Sequence, residues 1–170
     1  MGKKSVDYSE CLVETVKALE EGRVLLVSKG RQGRPNAMTI GWGTIGVIWG
    51  RPVFIALVRP SRYTFNLIDE TGEFTVNVAP PTLKEAVAFC GTVSGKDQDK
   101  FKDKGLTAIP ALKVTPPLIR ECSIHFECRV VHKNDLVAYE ITRPIIAEFY
   151  PADDFHRLFF GEILACQRDK

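Results

Sequence analysis

Apolar residues along this chain fall mostly into short β-like runs separated by turn residues, with a few stretches at helical spacing. Ser9–Glu21 is the first helical stretch: Leu12, Val13, Val16 and Leu19 share one face, and Gly22 follows as a natural stop. Val24–Ser28 reads as a short apolar strand and Arg31–Pro35 as a turn-rich loop with two arginines. Asn36–Trp49 is apolar and β-branched but is interrupted by Gly41, Gly43 and Gly46. Gly50–Pro52 turns the chain back into Val53–Val58, which predicts an antiparallel hairpin. A helix is predicted over Ser61–Thr71, with Gly72 at its end, and then a strand over Glu73–Val78.

Pro80–Pro81 breaks that strand, and Thr82 is placed to cap a helix whose apolar face is Leu83, Val87 and Cys90. Thr92–Phe101 is polar and turn-like, and Gly105–Pro117 reads as loop. Leu118–Val131 is the longest strand candidate. Cys122, Ile124, Phe126 and Cys128 alternate with Ser123, His125, Glu127 and Arg129, which predicts a strand with one face exposed. Asn134–Asp135 then turns into a strand over Leu136–Ile146, and Leu158–Cys166 is a strand or a short helix. Six or seven strands with a few short helices suggest a closed or partly closed antiparallel barrel.

Composition narrows the function. A chain of 170 residues fits one domain, here taken as residues 1–170. A net charge of +2 spread over both signs argues against a nucleic-acid partner. No run approaches the length of a membrane span, and no secretion signal opens the chain. The five cysteines are an odd number without close pairs, which fits a reducing cytoplasm and gives no metal site. No G-x-G-x-x-G follows a strand, so a Rossmann dinucleotide site is not supported.

Candidate chemistry gathers in Val53–Ile68. Pro60 ends the strand because it has no N–H to give. Ser61 is then a good N-cap, and a helix start presents free N–H groups and a positive dipole end. Arg59, Ser61, Arg62, Tyr63 and Thr64 converge there, a suitable set for a phosphate. The plain alternative is a capped surface helix with two solvated arginines. The glycines of Asn36–Trp49 mark a barrel corner or a close approach of ligand to backbone.

The stretches NAMTIGWG, VRPSRYTFNLI, FTVNV and FCGTVSGKDQDKF, followed by the late strand with EC, resemble in their order the flavin reductase-like, FMN-binding split-barrel family, and the flavoredoxin-type members above all. The resemblance covers about Val24 to Cys166. It implies a mainly β fold, a six-stranded Greek-key split barrel with a few added short helices. It further implies a homodimer with FMN near the subunit interface, and electron transfer from NADH, NADPH or a protein donor. Asn36, Met38, Thr39, Ile40 and Gly41 would lie against the flavin ring. Arg59, Ser61, Arg62, Tyr63 and Thr64 would hold the phosphate, and Ser94, Lys96 and Lys100 would meet polar groups of the flavin. No catalytic acid–base pair is implied, since the flavin supplies the redox chemistry. The alternative is a non-catalytic protein that holds FMN as a sensor or store.

Several residues carry plainer readings. Ser94-x-x-Asp97 fits a capping pair before a short helix. His156 closes over the flavin or, more simply, is a lone surface histidine; His125 reads as exposed or at an interface, and Cys122 and Cys128 as small core residues. Trp42 and Trp49 are core residues or flank a ring; spacing does not decide.

Overall fold

The computed structural model describes residues 2–170. Strand β1 (Lys3–Ser5) and a 3-10 turn (Tyr8–Cys11) lead into α1 (Leu12–Glu20). Four strands follow: β2 (Val24–Lys29), β3 (Pro35–Ile40), β4 (Gly43–Ile48) and β5 (Arg51–Val58). Next come α2 (Tyr63–Thr71), β6 (Glu73–Val78), α3 (Lys84–Thr92) and α4 (Lys100–Lys104). The chain closes with β7 (Ala108–Ile109), β8 (Leu118–Ile119), β9 (Ile124–Asp135), α5 (Arg143–Phe149) and β10 (Arg157–Asp169).

The fold is mainly β, as expected, with the main sheet antiparallel in the order β3-β2-β6-β9-β10-β5-β4 and β1 added beside β10. Eight strands therefore replace the six of the expected barrel, and the ladder is not closed between its end strands β3 and β4. Those two strands are the halves of the glycine-rich run. Gly41–Trp42 lies between them, so Asn36–Trp49 is two strands rather than one. The β4–β5 hairpin forms as predicted, through Trp49 and Gly50, both at positive φ. A two-residue loop with both residues left-handed matches the twist of its flanking strands.

The sheet curls around a core that includes Leu26, Met38, Phe54, Phe74, Phe126 and Phe159. A second core lies on the outer face, where α3, α4 and the segment after α4 cover β2 and β3 with Leu25, Val27, Ala37, Val87 and Phe101. That outer layer corrects the half-exposed reading of β9. His125 and Glu127 are fully buried beneath it. Glu127 accepts from the backbone N–H groups of Leu112 and Lys113 and from Gln167 Nε2 at 2.9 Å, and His125 Nδ1 lies 2.8 Å from Asn77 Oδ1. The polar face of the strand is thus a buried network that straps the loop before β8 to the sheet.

Other elements depart from expectation for local reasons. α1 docks through Thr15, Ala18 and Leu19, small enough for close approach, which leaves Val13 71% and Val16 45% exposed. Asn134–Asp135 is not a turn. β9 runs on because Arg157 pairs with Asp135 in the ladder and grips its carboxylate with two hydrogen bonds, at 2.6 and 2.9 Å. Leu136–Ile146 is then no strand but a 3-10 turn (Ala138–Glu140) and the start of α5, with Pro144 in its first turn, where its missing N–H costs nothing. The tail is a strand. Gly72 ends α2 in the left-handed conformation, as predicted.

Candidate functional site

Two cavities open side by side at the unclosed edge of the sheet. The first, about 200 Å³, is walled by β3 and the corner after it, Met38 to Trp42, and by Leu57, Arg59, Arg62 and His156. The second, about 110 Å³, is lined by Asn36, Met38, the turn Ser61–Thr64, the end of α3 and its following loop Cys90–Gly95, and Lys100. Met38 and Arg62 belong to both, so the two form one elongated space, with Trp42 and His156 toward one end and the start of α2 and the loop after α3, the polar end, at the other. An outer hollow of about 480 Å³ adjoins it, sharing Trp42, Arg59 and Arg62 and bounded by Glu148, Phe149 and Asp154.

The chain places the predicted residues here for traceable reasons. β5 stops at Val58, and α2 begins with Arg62 as its N-cap residue, not Ser61. Ser61 Oγ instead donates to Asp154 Oδ2 at 2.5 Å. Arg59 lines the first cavity but is also engaged within the protein: its guanidinium donates to the carbonyls of Asp154 and Phe149 at 2.9 and 2.8 Å and lies 5.0 Å over the Tyr150 ring. These two residues pin the loop after α5 against the cavity. Arg62, exposed, donates to no acceptor through its side chain among the described residues, and the first N–H groups of α2 have no carbonyl within the helix.

At the polar end, Asn36 Nδ2 donates to Thr64 Oγ1 at 2.7 Å, while the buried Asn36 Oδ1 has no partner. A Cβ at Gly95 would fall on that oxygen, so the loop after α3 passes over it only as glycine. Lys100 is buried, with Nζ donating to the carbonyls of Ala37 and Cys90 at 2.8 Å each, and burial pushes its pKa down. It ties α4 to β3 and α3. Ser94 lines the second cavity, and its hydroxyl accepts from the Lys96 N–H at 3.2 Å; Lys96 itself is exposed and lines neither space. The Ser94–Asp97 capping reading fails, because the short helix α4 is capped by Asp99, which accepts from Lys102 N.

Residues that the family resemblance did not assign complete the walls. Trp42 meets Phe149 edge-on at 5.1 Å and the His156 ring at 4.8 Å. His156 is buried, not a surface residue, and burial together with the charge of Arg59 pushes its pKa down to about 4. The signal for it was slight: a histidine at the start of an aromatic strand, two residues beyond Asp154. Gly91 to Val93 carried no signal beyond the end of a helix. Among the described residues no group of three or more His, Cys, Asp or Glu side chains comes together as a metal site. No helix among them is long and apolar enough to cross a membrane.

Residues 17–170 match the flavin reductase like domain family. This chain belongs to that family. A protein of Archaeoglobus fulgidus is 33% identical over 153 residues, which span 90% of this chain and 76% of the relative. Among solved structures, flavoredoxin of Desulfovibrio vulgaris superposes with a TM-score of 0.69 at 26% identity, covering 86% of this chain and 69% of flavoredoxin. Flavoredoxin from Methanosarcina acetivorans gives a TM-score of 0.67 at 29% identity, with 86% and 68% covered. The stretch matched to the flavin reductase like family contains both cavities and all the residues around them.

Proposed function

We propose that this chain is a single-domain FMN-binding oxidoreductase that passes electrons from NADH, NADPH or a protein donor to an acceptor. The observation that carries the reading is the elongated space shared by Met38 and Arg62. One end is a cleft walled by Met38, Ile40, Trp42 and His156 that would take a flat ring, and the other lies at the start of α2, suited to an anionic tail. Membership of the flavin reductase like family supports the same cofactor.

The residues fit that group. Met38, Thr39, Ile40, Gly41 and Trp42 form the wall for the ring. Asn36 and Thr64, joined by their hydrogen bond, wall the polar end. Arg62, with the N–H groups of Tyr63 and Thr64, forms the phosphate site. Arg59, Ser61 and Lys100 move to supporting roles, since their polar atoms are engaged within the protein. Bound flavin supplies the hydride and electron chemistry. The chain orients it and leaves the outer hollow beside Trp42 open to a second substrate. We further assign the protein to a reducing cytoplasm, on its five free cysteines, and to a homodimer.

An anaerobic titration tests this. The purified protein is expected to be yellow, and NADH or NADPH to bleach it as dithionite does. A colourless protein that takes up no FMN overturns the reading; a yellow protein bleached by dithionite but by neither nucleotide points to a protein donor or to a non-catalytic binder.

A further inference from the structure

The loop after α5 carries one side chain inward. Tyr150 is buried while its neighbours Phe149 and Pro151 are exposed. Its ring is held on three sides, by Arg59 at 5.0 Å over one face, Phe155 stacked at 4.8 Å and Trp42 edge-on at 6.3 Å. Its hydroxyl lies 2.8 Å from His156 Nδ1 and makes no other hydrogen bond among the described residues.

Two protonation patterns fit that distance, and they differ in cost. If Nδ1 carried the ring proton, it would donate to the tyrosine oxygen, and the phenol proton would be left without an acceptor among the described residues. If the phenol donates, Nδ1 accepts and the single proton of the neutral ring sits on Nε2. The second pattern leaves no donor stranded. Nε2 has no protein partner, yet it is not among the sealed unpaired atoms, which are Ser28 Oγ, Asn36 Oδ1 and His125 Nε2. It therefore meets open space, and the ring lines the first cavity. Burial and the charges of Arg59 and Arg62 keep the imidazole neutral.

We propose that Tyr150 is a positioning residue that fixes His156 as its Nε2–H tautomer, so that the ring presents one neutral hydrogen-bond donor to an acceptor atom of the ligand in the first cavity. The nature of that ligand rests on the flavin reading: a heteroaromatic ring rich in carbonyl and imine acceptors. A donor already oriented by its protein partner needs no reorganisation as negative charge builds on its acceptor. Arg59 contributes indirectly, by anchoring the carbonyls of Phe149 and Asp154 on either side of the loop.

Nitrogen-15 NMR of the full chain at neutral pH reads the tautomer directly. The protein has three histidines, and His156→Gln assigns the ring concerned. In the wild type, Nε2 is expected to be protonated and Nδ1 to show the shift of an unprotonated, hydrogen-bonded nitrogen. Tyr150→Phe is expected to move Nδ1 and to give a mixture of tautomers. FMN added to the wild type is expected to shift the His156 Nε2–H resonance. Protonated Nδ1 in the wild type, or a Tyr150→Phe ring unchanged from wild type, overturns the positioning role. FMN that binds by fluorescence but leaves the His156 ring unmoved overturns the donor role. FMN that does not bind counts against the flavin reading, and the tautomer measurement on the free protein still decides this one.

Discussion

Asn36 on β3 and Thr64 in the first turn of α2 are joined by a buried hydrogen bond, Nδ2 to Oγ1 at 2.7 Å. The bond fixes the polar end of the cavity and aims the unpartnered Asn36 Oδ1 beneath Gly95. Removing either partner strands the other in the interior. Asn36→Ala and Thr64→Val are each expected to lower stability by about 1–3 kcal/mol. The double variant should lose less than the sum of the two. Urea unfolding of all four proteins measures the coupling, and strictly additive losses would show that the contact contributes nothing.

The two arginines of the Arg59–Thr64 turn should separate by experiment. Arg62→Ala is expected to weaken FMN about ten- to a hundredfold, the loss of a charge-assisted hydrogen bond of about 1.5–3 kcal/mol, while riboflavin, which has no phosphate, changes little. Arg59→Ala is expected to free the loop around Phe149 and Asp154, seen as faster amide hydrogen exchange there. Equal losses of FMN and riboflavin in Arg62→Ala would remove it from the phosphate site.

Gly41 distinguishes a bend from a close approach. A Cβ there meets nothing nearer than the Leu19 carbonyl oxygen at 4.0 Å, so the protein itself leaves room for a side chain. Gly41→Val is expected to remain folded without flavin and to bind FMN much more weakly. A thermal melt beside a fluorescence titration measures both, and normal affinity in a folded variant would leave Gly41 as a corner residue only.

Gly161 provides the contrast, because a Cβ there would lie 2.5 Å from Phe74 Cζ and 2.8 Å from Cys128 Cβ in the core. Gly161→Ala is expected to cost stability whether or not flavin is present, by about 1–3 kcal/mol or more. A melting temperature equal to wild type would mean that the core yields at this point.

Stability should also fall in mild acid. Burial, and then the charge of Lys3, pushes the His125 pKa from 6.5 down to about 3. Above pH 6.5 the residue is neutral in both the folded and unfolded chains and contributes nothing to pH dependence. Below 6.5 the unfolded chain takes up a proton that the folded chain refuses, so stability declines toward pH 3, at a rate approaching about 1.4 kcal/mol per pH unit. His156, also depressed, adds to the same slope from the same starting point. Urea midpoints between pH 7.5 and 4.5 should show the decline, and His125→Gln should flatten it; an unchanged slope in the variant would move the effect elsewhere.

A second copy of the chain is the expected partner for the exposed apolar residues, among them Val13, Val47, Trp49 and Tyr139. Sedimentation should give about twice the 19.0 kDa chain mass. A monomer that binds FMN with full affinity would refute the dimer.

Local chemistry was enough to read much of this protein from its residues. β6 was legible to the residue, because EFTVNV alternates between a glycine stop and a proline pair. The β4–β5 hairpin and the end of α2 at Gly72 followed from turn chemistry and strand patterning in the same way, whereas the grouping of Asn36–Gly41 with Ser61–Thr64 was implied by the family resemblance. What the residues could not show was which polar atoms remain free once distant segments meet. Arg59 and Ser61 are engaged by carbonyl and carboxylate groups of the Phe149–Asp154 loop, which lies far along the chain. Lys100 is folded back onto Ala37 and Cys90, and His125 and Glu127 are buried by a loop that alternation alone cannot foresee. A period of two says that a strand has two faces. Only the packed fold decides whether the second face meets water or protein.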